Sequence, residues 1–111
     1  MKPEDKAQRD GQAAAGIDRI IHEPARLLIL THLYVVTEAD FVFLERQTGL
    51  TRGNLSSHLS RLEEGGYVTV AKKFVERVPR TVLRLTDNGR EAFSAYRDTI
   101  RAVLSTKGKQ G

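Results

Sequence analysis

LTRGNLSSHLSRLEEGGYV, running from Leu50 to Val68, holds leucines at 55, 59 and 62. That i, i+4, i+7 spacing marks one face of a helix. Thr51 stands just ahead of it, a favoured N-cap because its hydroxyl can accept from the free amides of the next turn. Gly65 and Gly66 supply a residue able to take positive φ, which stops a helix. The stretch predicts a helix over 51–64. At about 100° per residue, its opposite side carries Gly53, Ser57, Ser60, Arg61 and Glu64, with Asn54 and Ser56 at the edges. That side is unusually small and polar.

Upstream, Phe43 to Thr48 reads as a short helix ended by Gly49, with Phe41, Val42 and Phe43 as a short strand leading into it. Ala25 to Val36 holds Leu27, Leu28, Ile29, Leu30, Leu33, Tyr34, Val35 and Val36, a content expected of a central buried helix without a wet face. Pro24 suits the first turn of that helix or a kink before it. Ile17, Ile20 and Ile21 have helical spacing. Residues 1–16 show no core periodicity and read as a disordered arm.

Downstream, YVTVAKKFV (Tyr67 to Val75) alternates and is rich in β-branched and aromatic residues. TVLRL (Thr81 to Leu85) alternates again, and ERVPR between them has turn character at Pro79. The pair predicts a β-hairpin. Thr86 to Gly89 offer N-cap candidates for a last helix carrying Ala92, Phe93, Tyr96, Ile100, Val103 and Leu104 at helical spacing, up to a flexible tail at 106–111. The fold class is mainly α with a small hairpin, in one winged domain over 17–105.

The chain has 111 residues, 40% of them hydrophobic, enough for a single modest core. It contains no cysteine, which removes disulfides, thiolate nucleophiles and cysteine-based zinc sites and fits a reducing cytoplasm. No apolar run nears the ~20 residues that span a bilayer, so no membrane partner is expected. The formal net charge is +4. All of the excess sits between Thr51 and Arg84, where seven basic residues face three acidic ones; the rest of the chain balances. Such clustering is the electrostatic footprint expected for phosphate.

Helix, turn, second helix, glycine stop and basic hairpin together point to duplex DNA. A helix entering a major groove about 12 Å wide must be slim and present hydrogen-bonding groups to base edges, which serine and asparagine do and Arg61 extends to guanine. Thr51 and Arg52, at the positive end of the helix, suit backbone phosphates. Arg77 and Arg80 flank Pro79 near the hairpin tip, and Lys72, Lys73 and Arg84 lie on its strands, so the hairpin can reach phosphates or the adjacent minor groove. Asn54 could equally bond the first turn of its own helix.

Three segments carry a resemblance to a known family: Leu50 to Val68, Pro79-Arg80-Thr81, and the L-T-x-x-G-R run from Leu85 to Arg90. The chain resembles the winged helix-turn-helix transcription regulators related to the MarR and ArsR repressors, in their small single-domain group. The resemblance implies recognition-helix contacts from Thr51, Arg52, Asn54, Ser56, Ser57, Ser60 and Arg61, and wing contacts from Arg77 and Arg80. It also implies a homodimer built from the first and last helices, here Ile17 to Ile21 and the Phe93 to Leu104 face. A small-molecule effector between those helices and the DNA-binding lobe is compatible with it, although no polar cluster points to one.

Other readings are weaker. His22, His32 and His58 lack the spacing of a ligand set, so no metal or cofactor is expected. Ser56, Ser57 and His58 point in different directions on one helix, no serine sits in a nucleophile elbow and no glycine-rich phosphate loop occurs, so no catalytic residue is assigned. The rival is a winged helix that docks a partner protein and reads no DNA. The two differ in whether the basic excess faces outward with Ser57, Ser60 and Arg61 or is neutralised by Glu63, Glu64 and Glu76.

Overall fold

The computed structural model describes residues 17–110, with side chains to Ser105; the arm at 1–16 lies outside the described residues. In order, the elements are α1 (Pro24–Val36), β1 (Glu38–Asp40), α2 (Phe41–Thr48), α3 (Arg52–Glu64), β2 (Val68–Val75), β3 (Val78–Leu85) and α4 (Asp87–Gln110). The strands form one antiparallel sheet in the order β1-β3-β2.

Local chemistry sets most boundaries. Pro24 opens α1, where a missing amide hydrogen costs nothing, and the Glu23 side chain accepts from Arg26 N. The Ile17 to Ile21 stretch is a single turn, not a helix: the Asp18 carboxylate takes the amides of Ile20 and Ile21, and the new helix begins too soon for another turn. The short strand lies at 38–40, ahead of its expected place. Asp40 accepts from Phe43 N at 2.7 Å and so starts α2 at Phe41, pulling Phe41, Val42 and Phe43 into the helix. Gly49 ends α2 with φ 72°, a left-handed conformation glycine adopts without strain.

Thr51 caps α3, its hydroxyl accepting from Asn54 N at 3.2 Å, and Gly66 (φ 81°) turns the chain into β2. The hairpin turn is not centred on Pro79. Glu76 and Arg77 form it, with φ 53° and 68°, the both-positive pattern whose twist matches two adjoining strands. Pro79 lies within β3 opposite Phe74. Val75 and Val78 close the turn, so position 79 falls on a non-hydrogen-bonded pair and the absent amide is not missed.

One core holds these elements together: Ile21, Ile29, Leu30, Leu33, Leu44, Leu55, Leu59, Leu62, Val68, Leu83, Leu85, Phe93 and Tyr96 are buried. Each contributes about 1.5–3 kcal/mol on burial. Two expectations change here. The α1 helix does have an open face, with Leu28, Val35 and Val36 at 44, 78 and 45% exposure, because its partners α2 and α3 cover only the Ile29-Leu30-Leu33 side. Ile21, Phe93 and Tyr96, expected to meet a second copy, are buried within their own chain. Tyr96 also bonds His22 Nδ1 through its hydroxyl at 2.7 Å.

Polar ties fix the ends of the wing. Tyr67, at the foot of β2, donates its hydroxyl to the Asp18 carboxylate. Burial, then that carboxylate, push its phenol up to about 12. Arg90 on α4 donates to Tyr34 O and Thr37 Oγ1, at 3.2 and 2.8 Å, and lies over the Tyr34 ring. It thereby serves the carbonyl end of α1, where a cation is favoured. Thr86 caps α4 by accepting from Gly89 N at 2.9 Å. The helix continues through residues 106–110, the stretch expected to be a tail.

Candidate nucleic-acid interface

Leu55, Leu59 and Leu62 clamp α3 to the core, which turns the rest of the helix outward. Thr51, Arg52, Asn54, Ser56, Ser57, Ser60 and Arg61 are all exposed, together with Gly53. The sequence named this set, and the structure brings it onto one element. No side-chain hydrogen bond is made by Asn54 among the described residues, so its amide stays available. Arg52 lies to one side, its guanidinium 5.6 Å from the centre of the Phe41 ring, which holds it near the helix N-terminus. His58 is half-buried and turned inward. Its Nδ1 stands 3.2 Å from an Arg26 guanidinium nitrogen and 3.8 Å from Glu23.

Lys72, Lys73, Arg77 and Arg80 are exposed along the wing. Register divides them. Lys73 pairs with Arg80 across the hairpin on one face, while Lys72 lies opposite Thr81 on the other. Arg77 occupies the turn itself. Arg80 sits three residues from the turn, further back than its expected place at the tip.

The basic residues meet carboxylates, and mostly not the ones sequence suggested. Arg61 stands 3.9 Å from Glu64. On the wing, Arg80 meets Asp40 at 3.4 Å, and Glu38 takes Arg84 at 3.4 Å and Lys73 at 4.0 Å. Both carboxylates belong to β1, which runs beside β3. Asp40 serves twice, one oxygen capping α2 and the other holding Arg80. Among the described residues, no ion pair involves Arg52, Lys72 or Arg77. The pairs that do form are solvent-exposed and worth at most about 1 kcal/mol each, so phosphate can displace them. Sequence reasoning missed β1 as the counter-charge of the wing. Its one available signal was Asp40 three residues before Phe43, the spacing of an N-cap.

Helix and wing meet at a shallow pocket of about 130 Å³ lined by Asp40, Phe41, Val42, Arg52, Pro79, Arg80 and Thr81. It joins the N-terminal end of α3 to the first half of β3, with Arg52 and Arg80 both lining one depression. An exposed polar helix face thus runs into a cationic ribbon across a basic junction, an arrangement that can follow a phosphate backbone.

The profile of the winged helix DNA-binding domain family matches residues 25–104. An uncharacterized protein of Methanocaldococcus jannaschii is 36% identical over 78 residues, 70% of this chain and 85% of its own length. The structure is similar to that of a transcriptional regulator homologue from Pyrococcus horikoshii, with TM-score 0.73 and 30% identity over 95% of this chain and 97% of that one. The fold also matches reduced AbfR bound to DNA, with TM-score 0.69 and 23% identity over 93% of this chain and 77% of that one. No helix among the described residues is long and apolar enough to cross a membrane. The chain belongs to the winged helix DNA-binding domain family and is a DNA-binding transcription regulator.

Proposed function

We propose that the chain binds operator DNA as a homodimer, with α3 of each copy in successive major grooves about 34 Å apart and the wings on the flanking minor grooves. One observation carries this reading: Arg52, at the N-terminal end of α3, and Arg80, on the wing, line the same depression. On it, Ser56, Ser57, Ser60, Asn54 and Arg61 read base edges. Thr51 and Arg52 take phosphates, and Lys72, Lys73, Arg77 and Arg80 supply most of the affinity. The expected activity is repression, exerted in the cytoplasm where the operator lies.

Support for the dimer comes from α4. At 24 residues it is about 36 Å long, and its own chain buries Phe93 and Tyr96 but leaves Leu104 62% exposed. Ile100, Val103 and Leu104 form an i, i+3, i+4 stripe that a second copy can cover.

A band shift with DNA from upstream of the chain's own gene tests the reading. Wild type should retard it at low salt, and Arg61→Ala with Arg80→Ala should bind at least tenfold more weakly. Wild type that leaves the DNA unshifted, or a double variant that binds as well, refutes it.

A further inference from the structure

The outer half of the wing is apolar as well as basic. Phe74 is 78% exposed, and Val75 and Val78 beside it are 51 and 47% exposed. A phenyl ring held so far into water on a ribbon two strands wide fits a surface that becomes covered. Register sets its surroundings: Phe74 lies opposite Pro79, on the face that also carries Lys72, while Val75 and Val78 occupy the other face next to the turn. Pro79, with its fixed φ, stiffens the strand behind the ring.

Charge identifies what covers it. Lys72 shares the face of Phe74, Lys73 adjoins it on the other face and Arg77 sits in the turn, while Glu76 is the single acidic residue on that half of the hairpin. Packing two such tips together would bring six cations into one contact, whereas a polyanion gains from every one of them. Duplex DNA combines phosphates with an apolar slot, the space between stacked base pairs. Its minor groove, about 6 Å wide, admits a hairpin tip rather than a whole ribbon.

Building on the reading that the wing meets DNA, we propose that Phe74, backed by Pro79, is an apolar wedge that enters a base step in the minor groove and bends the duplex. Lys72 and Arg77 hold the flanking phosphates. Flexible pyrimidine–purine steps accept the wedge most easily, so Phe74 biases site choice at positions that α3 never touches.

The test uses the full chain and a 30-base-pair duplex recovered from a random pool with wild type, labelled at both ends for energy transfer and carrying 2-aminopurine at its pyrimidine–purine steps. Wild type should shorten the end-to-end distance and raise 2-aminopurine fluorescence. Phe74→Ala should lose both signals and bind about tenfold more weakly, with a Tm within about 2 °C of wild type because so little of the ring is buried. Phe74→Leu should keep both signals. The wedge is overturned if Phe74→Ala bends and unstacks the duplex as wild type does, or if it changes the mass of the DNA-free protein in sedimentation, which would make the ring part of a contact between copies. Wild type that recovers no duplex at all overturns the DNA reading together with the wedge, an outcome distinct from both.

Discussion

Replacing Gly89 with alanine puts a methyl group where the fold has no room. An ideal Cβ there lies 2.1 Å from Tyr67 O and 2.9 Å from Tyr67 C, with Leu85 Cδ1 also at 2.9 Å. The leucine can turn aside. The carbonyl cannot, since Tyr67 O already accepts from Thr86 N at 3.0 Å and marks the foot of the wing. Restoring ordinary contact requires more than 1 Å of separation between the first turn of α4 and β2, which would break that hydrogen bond and loosen Leu85. The expected loss is about 3 kcal/mol, or a Tm lower by about 15 °C for a domain of this size. Gly53→Ala is the matched control. Nothing lies within 4 Å of its Cβ position, and it stands in an exposed helix where alanine is favoured by roughly 0.5–1 kcal/mol, so the same chemical change should stabilise. Urea and thermal unfolding without DNA read both. Close packing at the foot of the wing is refuted if Gly89→Ala stays within about 1 kcal/mol of wild type, or if Gly53→Ala loses as much as Gly89→Ala.

Tyr67→Phe removes a hydroxyl that donates to the Asp18 carboxylate, and should cost about 1 kcal/mol at pH 8. Above pH 10 the unfolded chain loses its phenolic proton while the folded chain keeps it up to about 12. Wild type therefore loses stability as pH rises through that window, by roughly 1 kcal/mol after allowing for solvent screening of a part-exposed group. Unfolding midpoints of the two proteins should converge between pH 10 and 12; a constant gap would contradict the sign. Glu38→Gln releases Arg84 and Lys73 from their shared carboxylate. It should change stability by less than about 1 kcal/mol and tighten duplex binding several-fold in an anisotropy titration, whereas weaker binding would mean that Glu38 positions those cations for DNA.

Local signals made α3 legible in the sequence. Its leucine spacing, the Thr51 cap and the glycines after it act within a few residues of one another, and the outward set follows from helical geometry. The misread features depend on partners far along the chain or on unusual backbone. Phe41, Val42 and Phe43 resemble a strand by residue type, but the Asp40 cap claims them for α2, and the strand that forms instead pairs Ala39 with Leu83. Pro79 drew the turn toward itself while Glu76 and Arg77 took positive φ, a conformation that neither residue type advertises. The counter-charges of Arg80 and Arg84 sit 40 and 46 residues away in sequence. The family resemblance placed Ile21, Phe93 and Tyr96 on segments meeting a second copy, but a core and an interface share one apolar pattern, and only packing tells them apart.

Arg52, Lys72 and Arg77 form no ion pair among the described residues, so each can take a phosphate without breaking one, and the salt dependence of binding counts those phosphates directly. Duplex affinity, titrated across a range of salt concentrations, should fall linearly on logarithmic axes. Removing Arg52, Lys72 and Arg77 together should flatten the slope by about 0.9 for each phosphate no longer neutralised, or about 2.7 per bound copy. A triple variant whose slope and affinity match those of wild type would contradict the claim that helix and wing bind DNA as one surface.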